Sequence, residues 1–203
     1  MRWLQKLIGN PAPYTLEQDP RWRAFNDNST ACACCAETFN GIFELGYDHP
    51  DHWIHANRTE SGKDSLSFGD DWLNANLCAV GEHRFVRGVL DLPVKGSDIP
   101  FGFGVWCSLK PENFDAYAAI IHTDNNTSLG GFFGWMSNSL PYYDTEAPLA
   151  CNVVFQDGGV RPLIKVHDDT HPLGHDQVNG ITFDTLLDIY AAAGRDIRPH
   201  LER

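Results

Sequence analysis

The residues with the clearest capacity for chemistry are the cysteines of "ACACCAETFNGIF", which runs from Ala31 to Phe43. Cys32 and Cys35 have the C-x-x-C spacing that lets two thiolates on a tight turn reach one zinc ion, and Cys34 lies between them. Two features work against a zinc knuckle. A glycine after the second cysteine normally supplies the turn's positive φ, and Ala36 is costlier there. A tetrahedral site also needs two further ligands, and no second C-x-x-C occurs. A thioredoxin-like redox pair would sit at a helix N-terminus, whereas residues 38–45 read as extended. The plainer reading is a group of reduced thiols at the edge of a strand.

Histidines form the second group. "VHDDTHPLGHD" holds His167, Asp168, Asp169, His171, His175 and Asp176. The H-x3-H-x3-H spacing would align three imidazoles on a helix, but Pro172 interrupts it. A loop could still converge histidine and carboxylate ligands on a metal. His171, His175 and Cys78 are then the first residues to look to for completing a site with Cys32 and Cys35. Otherwise His171 caps or packs the turn before the last helix, and Asp168 and Asp169 are solvated charges. In "YDHPDHWIHA", His52 and His55 are spaced for one face of a short helix from Pro50, with Trp53 as an aromatic anchor between them. There is no G-x-S-x-G, H-E-x-x-H, P-loop or dinucleotide fingerprint. Phe132, Phe133 and Trp135 of "SLGGFFGW" read as a strand or an aromatic shelf.

The elements that must position these groups are mainly strands. "NLCAV" and "RFVRGVLDLPV" read as a hairpin across a short polar loop. "FGFGVWCSL" reads as a central strand, with Gly102 and Gly104 leaving one face open for close packing. "TFNGIFELGY" shows an imperfect strand alternation, and "CNVVFQDGGVRPLIKV" reads as a hairpin turning at Asp157-Gly158. Helical spacing predicts one inserted helix in "KPENFDAYAAIIH", with Pro111 in its first turn. "HPLGHDQVNG" reads as a loop or single turn. "ITFDTLLDIYAAAGRD" predicts a closing helix, capped by Thr182, stopped by Gly194, and buried through Phe183, Leu186, Leu187 and Tyr190. Residues 1–30 read as a helical extension: a short helix in "MRWLQKLIG", then a second segment with Thr15 as N-cap. The expectation is an α+β fold, an antiparallel sheet with an inserted helix and a closing C-terminal helix, in a single domain over residues 31–203.

A 203-residue chain that is 42% hydrophobic, with six Trp and twelve Phe, can bury a large core. Its net charge of −12, with no Lys/Arg-rich run, argues against nucleic acid and anionic membranes as partners and for a basic protein if there is one. No stretch approaches the roughly 18 apolar residues of a membrane span, and the N-terminus lacks a signal-peptide pattern. A cytoplasmic protein with reduced thiols is expected. Cys78, Cys107 and Cys151 sit among apolar neighbours and read as small core residues.

Several stretches together resemble a known bacterial family, domain of unknown function 2199. They are "FELGYDHPDHW", "GEHRFVRGVLDLPV", "FGFGVWCSL", "ENFDAY", "FFGWMSN", "RPLIKV", "HPLGHDQVNGITFDTLLDIYAAAG" and the C-x-x-C at Cys32/Cys35. The resemblance spans about residues 31–195 and implies a small soluble bacterial protein. It implies no particular reaction. The family pattern reads C-x-x-C-G and then, after two more residues, His; here Ala36 and Phe39 stand at those places. The functional expectation is a non-enzymatic interaction protein whose acidic surface suits a basic partner, resembling an immunity protein in charge alone, with no cofactor. The alternative is a zinc-binding or thiol-dependent protein using Cys32/Cys35 and the His167–His175 segment.

Overall fold

The structure, a computed structural model, describes residues 15–29, 31–32, 36–143 and 148–201. The helix expected in "MRWLQKLIG" and the thiols Cys34 and Cys35 lie outside the described residues.

The chain enters through a 3-10 turn, Leu16–Gln18, and helix α1, Pro20–Phe25. Pro20 divides what reads as one segment: Thr15 precedes the turn, and Asp19 caps α1 by accepting from the Arg21 amide at 2.8 Å. A two-residue strand β1 (Leu45–Gly46) and a short helix α2 (Arg58–Ser61) lead into a meander of β2 (Leu66–Phe68), β3 (Asp71–Leu73), β4 (Leu77–Val80) and β5 (His83–Leu92). Strand β6 (Phe101–Leu109) and helix α3 (Pro111–Ile120) follow, then β7 (Gly131–Met136), β8 (Leu149–Val154) and β9 (Leu163–Val166). Three helices close the chain: α4 (Pro172–Asn179), α5 (Phe183–Ala192) and α6 (Arg198–Leu201).

The mixed α+β class holds, but the sheet is not an open antiparallel one. β5 pairs with β6 along its whole length, from Arg84 opposite Leu109 to Leu92 opposite Phe101. On its other edge, the first half of β5 pairs with β4. The second half of that edge is free to take β9 in parallel, with Val89 opposite Leu163 and the Val89 amide donating to the Pro162 carbonyl at 2.8 Å. β6, β7, β8 and β9 pair successively antiparallel, so β5 to β9 close into a small barrel. β1 adds a second parallel pairing, Gly46 opposite Gly104. Closure explains the near-continuous apolar run of β6, of which all but Ser108 is buried.

The barrel core includes Val86, Leu90, Val105, Met136, Val153 and Ile164, with the Cys107 and Cys151 thiols meeting at 3.6 Å. Helix α5 lays Phe183, Leu186, Leu187 and Tyr190 against this core, with the Thr182 hydroxyl accepting from the Thr185 amide. Phe25 of α1 packs on Phe183 and Phe39, and Arg21 bridges Asp19 and Asp184, so α1 is tied to the start of α5. A second apolar cluster of Trp53, Leu66, Leu73, Cys78, Val80, Phe85 and Trp106 lies on the outer face of β4 to β6.

Two local expectations fail. "HPLGHDQVNG" is neither a loop nor a single turn: Pro172 keeps His167 off the helix as expected but starts the eight-residue α4, because an N1 proline gives up an amide that has no helical partner anyway. "TFNGIFELGY" is not a strand beyond Leu45–Gly46. Its apolar side chains, Phe39 and Phe43, pack against α1 and α5 instead. The β8–β9 hairpin is present, with a loop of residues 155–162 in which both Gly158 and Gly159 take positive φ.

Candidate functional site

Among the described residues, the sequence-predicted ones are not gathered into one group of potential metal ligands. Cys32 is buried, its amide donating to the Glu37 carbonyl at 2.8 Å and its carbonyl accepting from the Ala36 amide at 2.9 Å. Ala36 closes this loop at φ 60°, the conformation a glycine would favour. The Cys32 sulfur lies 3.4 Å from Nδ1 of His200 in α6, a neighbour with no local sequence signal. His171 caps α4, its Nδ1 accepting from the Leu173 amide at 3.1 Å. His175 is on the exposed side of α4 beside Asp176, and His167 follows β9 with its ring 5.5 Å from that of Phe133. Cys78 is fully buried in the second apolar cluster. Among the described residues, no group of three or more His, Cys, Asp or Glu side chains is placed to hold a metal ion.

What the fold does assemble is a cleft on the outer face of the barrel, where β6, β7 and the start of β5 meet the segment around His52. Two stretches that lie far apart in sequence are pinned together there. Asn138, 2% exposed, accepts from the Trp106 amide at 2.8 Å and donates to the His49 carbonyl at 3.0 Å and to Asp51 at 2.9 Å. The Ser139 amide and hydroxyl donate to the other Asp51 oxygen. Ser137, next in line, places its hydroxyl 3.1 Å from His52 Nδ1. The buried amide carries the bonds because an Asn can satisfy donor and acceptor demands at once in a place where an unpaired polar group would be costly.

His52 is not on a helix; residues 51–52 form a turn. Its ring sits 4.9 Å from His83 and 5.1 Å from Phe85. His55, three residues on, faces elsewhere: its Nε2 is 2.7 Å from Asp71, and that hydrogen bond holds the Asp71 carboxyl below the usual carboxylate range. With Ser108, Trp135 and Met136, the His52 and His83 rings enclose about 530 Å³ with largely apolar walls. Trp135 pairs with Ser108 across β6–β7 and is 48% exposed, beside the exposed Phe133 at 5.3 Å. The segment expected to be a strand or an aromatic shelf is strand β7: Phe132 packs on Phe155 toward the core, Phe133 and Trp135 are exposed together, and Trp135 forms one wall of the cleft. Two other clefts are slightly larger, at about 630 Å³, but each has a more polar lining, with residues such as Ser97 and Asp98, or Glu37 and Asn40.

A serine hydroxyl beside an imidazole could in principle act as nucleophile and base. The Ser137 hydroxyl meets the ring at Nδ1, and among the described residues no carboxylate orients the same ring, since Asp51 is committed to Asn138 and Ser139. The arrangement is better suited to holding a ligand than to attacking one: flat apolar walls, with hydroxyls and imidazoles as the orienting polar groups.

Over residues 31–181 the chain matches the family model for domain of unknown function 2199, described as "uncharacterized protein conserved in bacteria", and it belongs to that family. No curated protein and no solved structure matches it. Among the described residues, no helix is long and apolar enough to cross a membrane.

Proposed function

We propose that this family member is a non-enzymatic binding protein whose ligand is a small molecule with an aromatic or otherwise flat apolar body and one or two polar substituents. The observation that carries this is the cleft itself: about 530 Å³ of mainly apolar space, with Trp135 as a partly exposed wall and the Ser137 hydroxyl and the His52 and His83 imidazoles at its rim. Such a volume, with few polar groups set by a rigid frame, is the usual form of a small-molecule site. The Asn138 hydrogen bonds to the His49 carbonyl and Asp51 provide that rigidity.

Ligand-observed NMR with a mixture of indole, phenol and benzoate derivatives tests this. Binding is expected for at least one ring-bearing compound, and Trp135→Ala and His52→Ala should each weaken it about tenfold or more. Absence of binding across the mixture, or binding that survives both substitutions, overturns the reading.

The net charge of −12 supports a second role, docking of a basic protein in the cytoplasm with no cofactor involved. Association through that charge would slow as ionic strength rises. A salt-insensitive on-rate would count against it.

A further inference from the structure

Arg87 is out of keeping with its surroundings. It lies on β5 opposite Trp106 and is only partly exposed. Its Nε is fully buried and has no hydrogen-bond partner among the described residues; its Nη nitrogens also lack one there but reach solvent. The guanidinium ion pairs of the described residues involve Arg21 and Arg198, not Arg87. A guanidinium carries five donors in a fixed fork and keeps its charge, so burying part of one unpaired is costly. Native proteins rarely leave such a group without a partner, and an unseen ion is one of the standing explanations.

Space has been made for it. The guanidinium lies over the paired glycines of β1 and β6: a Cβ on Gly46 would stand 2.7 Å from its Nη2, and one on Gly104 3.5 Å away. Any larger residue at Gly46 would push the fork out of place.

Two more arginines stand close by. Arg58 and Arg161 are both near enough for their charges to disfavour the protonated Arg87, although burial is the larger cause of its lowered pKa. Arg58 likewise has a buried Nε without a partner; one of its terminal nitrogens donates to the Asp64 carbonyl. Arg161 is held by Asn76, whose side chain accepts from its Nε at 3.3 Å and whose carbonyl accepts from the Arg87 amide at 2.8 Å. Asp48 and Glu44 are the acids within reach of Arg87. Asp48 already accepts from the Thr59 hydroxyl, and Glu44 is exposed beside Gly102. Arg58 and Arg161 thus add to the positive charge at Arg87, where Asp48 and Glu44 oppose it and neither is paired with it, in a chain whose overall charge is strongly negative.

We propose that Arg87, flanked by Arg58 and Arg161, is a binding site for a small phosphate-type oxyanion, either the free ion or the phosphomonoester end of a small molecule. The planar fork can give two parallel bonds to a phosphate, and a charged acceptor would satisfy the donors the fold leaves open. The site shares no residue with the lining of the cleft at His52 and its test does not depend on that cleft.

The experiment titrates inorganic phosphate into the full chain at constant ionic strength, with chloride as the balancing salt. Melting temperature and ³¹P line width are read together. Phosphate is expected to raise the melting temperature beyond the chloride control and to broaden the ³¹P line. Arg87→Gln should weaken phosphate binding at least tenfold. Arg161→Gln, which leaves the barrel core untouched, should weaken it several-fold and serves if Arg87→Gln does not fold. Parallel titrations use phenyl phosphate and acetate. Tighter binding of phenyl phosphate assigns the site to a phosphorylated small molecule, and tighter binding of inorganic phosphate assigns it to the free ion. Acetate binding as well as phosphate, a response no larger than that to chloride, or an unchanged response in Arg161→Gln overturns the proposal.

Discussion

The Tyr190 hydroxyl donates to the Phe43 carbonyl at 2.9 Å and accepts from the Phe43 amide at 3.1 Å, while the two rings stack with centroids 4.1 Å apart and planes 13° from parallel. One side chain of α5 therefore replaces both ladder bonds that residue 43 would have made in a strand. This is how a segment with strand-like alternation is held extended without a strand neighbour.

Removing that hydroxyl isolates its effect. Tyr190 is fully buried, so Tyr190→Phe keeps the stack but leaves the Phe43 amide and carbonyl without their partner. A loss of about 1–3 kcal/mol is expected. Urea denaturation measures it; an unchanged midpoint would mean that water takes over both bonds. Leu187→Ala on the same helix, at 1% exposure, should cost about 2–5 kcal/mol through transfer and cavity terms.

Ala36 offers the opposite sign. At φ 60° a Cβ is strained, and glycine is not. Ala36→Gly should stabilise the chain by about 0.5–1 kcal/mol, the strain relieved being partly offset by the greater freedom of glycine in the unfolded chain. A lower melting temperature for Ala36→Gly would show that the Cys32–Glu37 turn is not held in this conformation.

Local features are legible in the sequence, and features that depend on distant partners are not. Thr182, the apolar stripe of α5 and Gly194 sit within thirteen residues of each other, so periodicity and caps announce the helix. The hairpin of β4 and β5 is equally local. Barrel closure rests on Val89 meeting Leu163, and a parallel pairing across that distance leaves no spacing to detect. The candidate cleft depends on Ser137 meeting His52 across 85 positions, and the Cys32–His200 contact spans 168. Pro172 does keep His167, His171 and His175 off one continuous helix, yet it also begins α4: the same residue breaks a helix from inside and starts one from its first turn. The exposed pair Phe133 and Trp135 is legible because the two residues flank Gly134 at strand spacing and so share one face.

Asn138 links fold and cleft, and its replacement should separate the two. Asn138→Ala leaves the buried Trp106 amide unpaired and frees the His49–Asp51 segment that carries His52. A stability loss of about 1–3 kcal/mol is expected, with faster hydrogen exchange at the Trp106 amide. Asn138→Asp keeps the acceptor but sets a second carboxylate against Asp51, and should cost more at neutral pH than at pH 4. Equal costs at both pH values would show that the side chains do not remain in contact.

High pH should unfold the protein through its buried acids. Burial pushes the Cys78 thiol up to about 12 from 9.0. Burial likewise carries the Tyr47 and Tyr117 phenols to about 12 from 10.0 and raises Tyr143 and Tyr190 further. Below pH 9 these groups are protonated in both folded and unfolded chains, and stability does not depend on them. As pH rises from 9 toward 12 the unfolded chain gives up the protons while the native chain retains them, so each group draws the equilibrium toward unfolding. Urea midpoints should therefore fall steadily from pH 9 to pH 11. Phenolate absorbance should rise in one step with the loss of near-ultraviolet circular dichroism, and that step should account for at least four of the six tyrosines. Titration of those four near pH 10 with the circular dichroism intact would mean that the phenols are open to solvent and that the packing of Tyr190 on Phe43 is wrong.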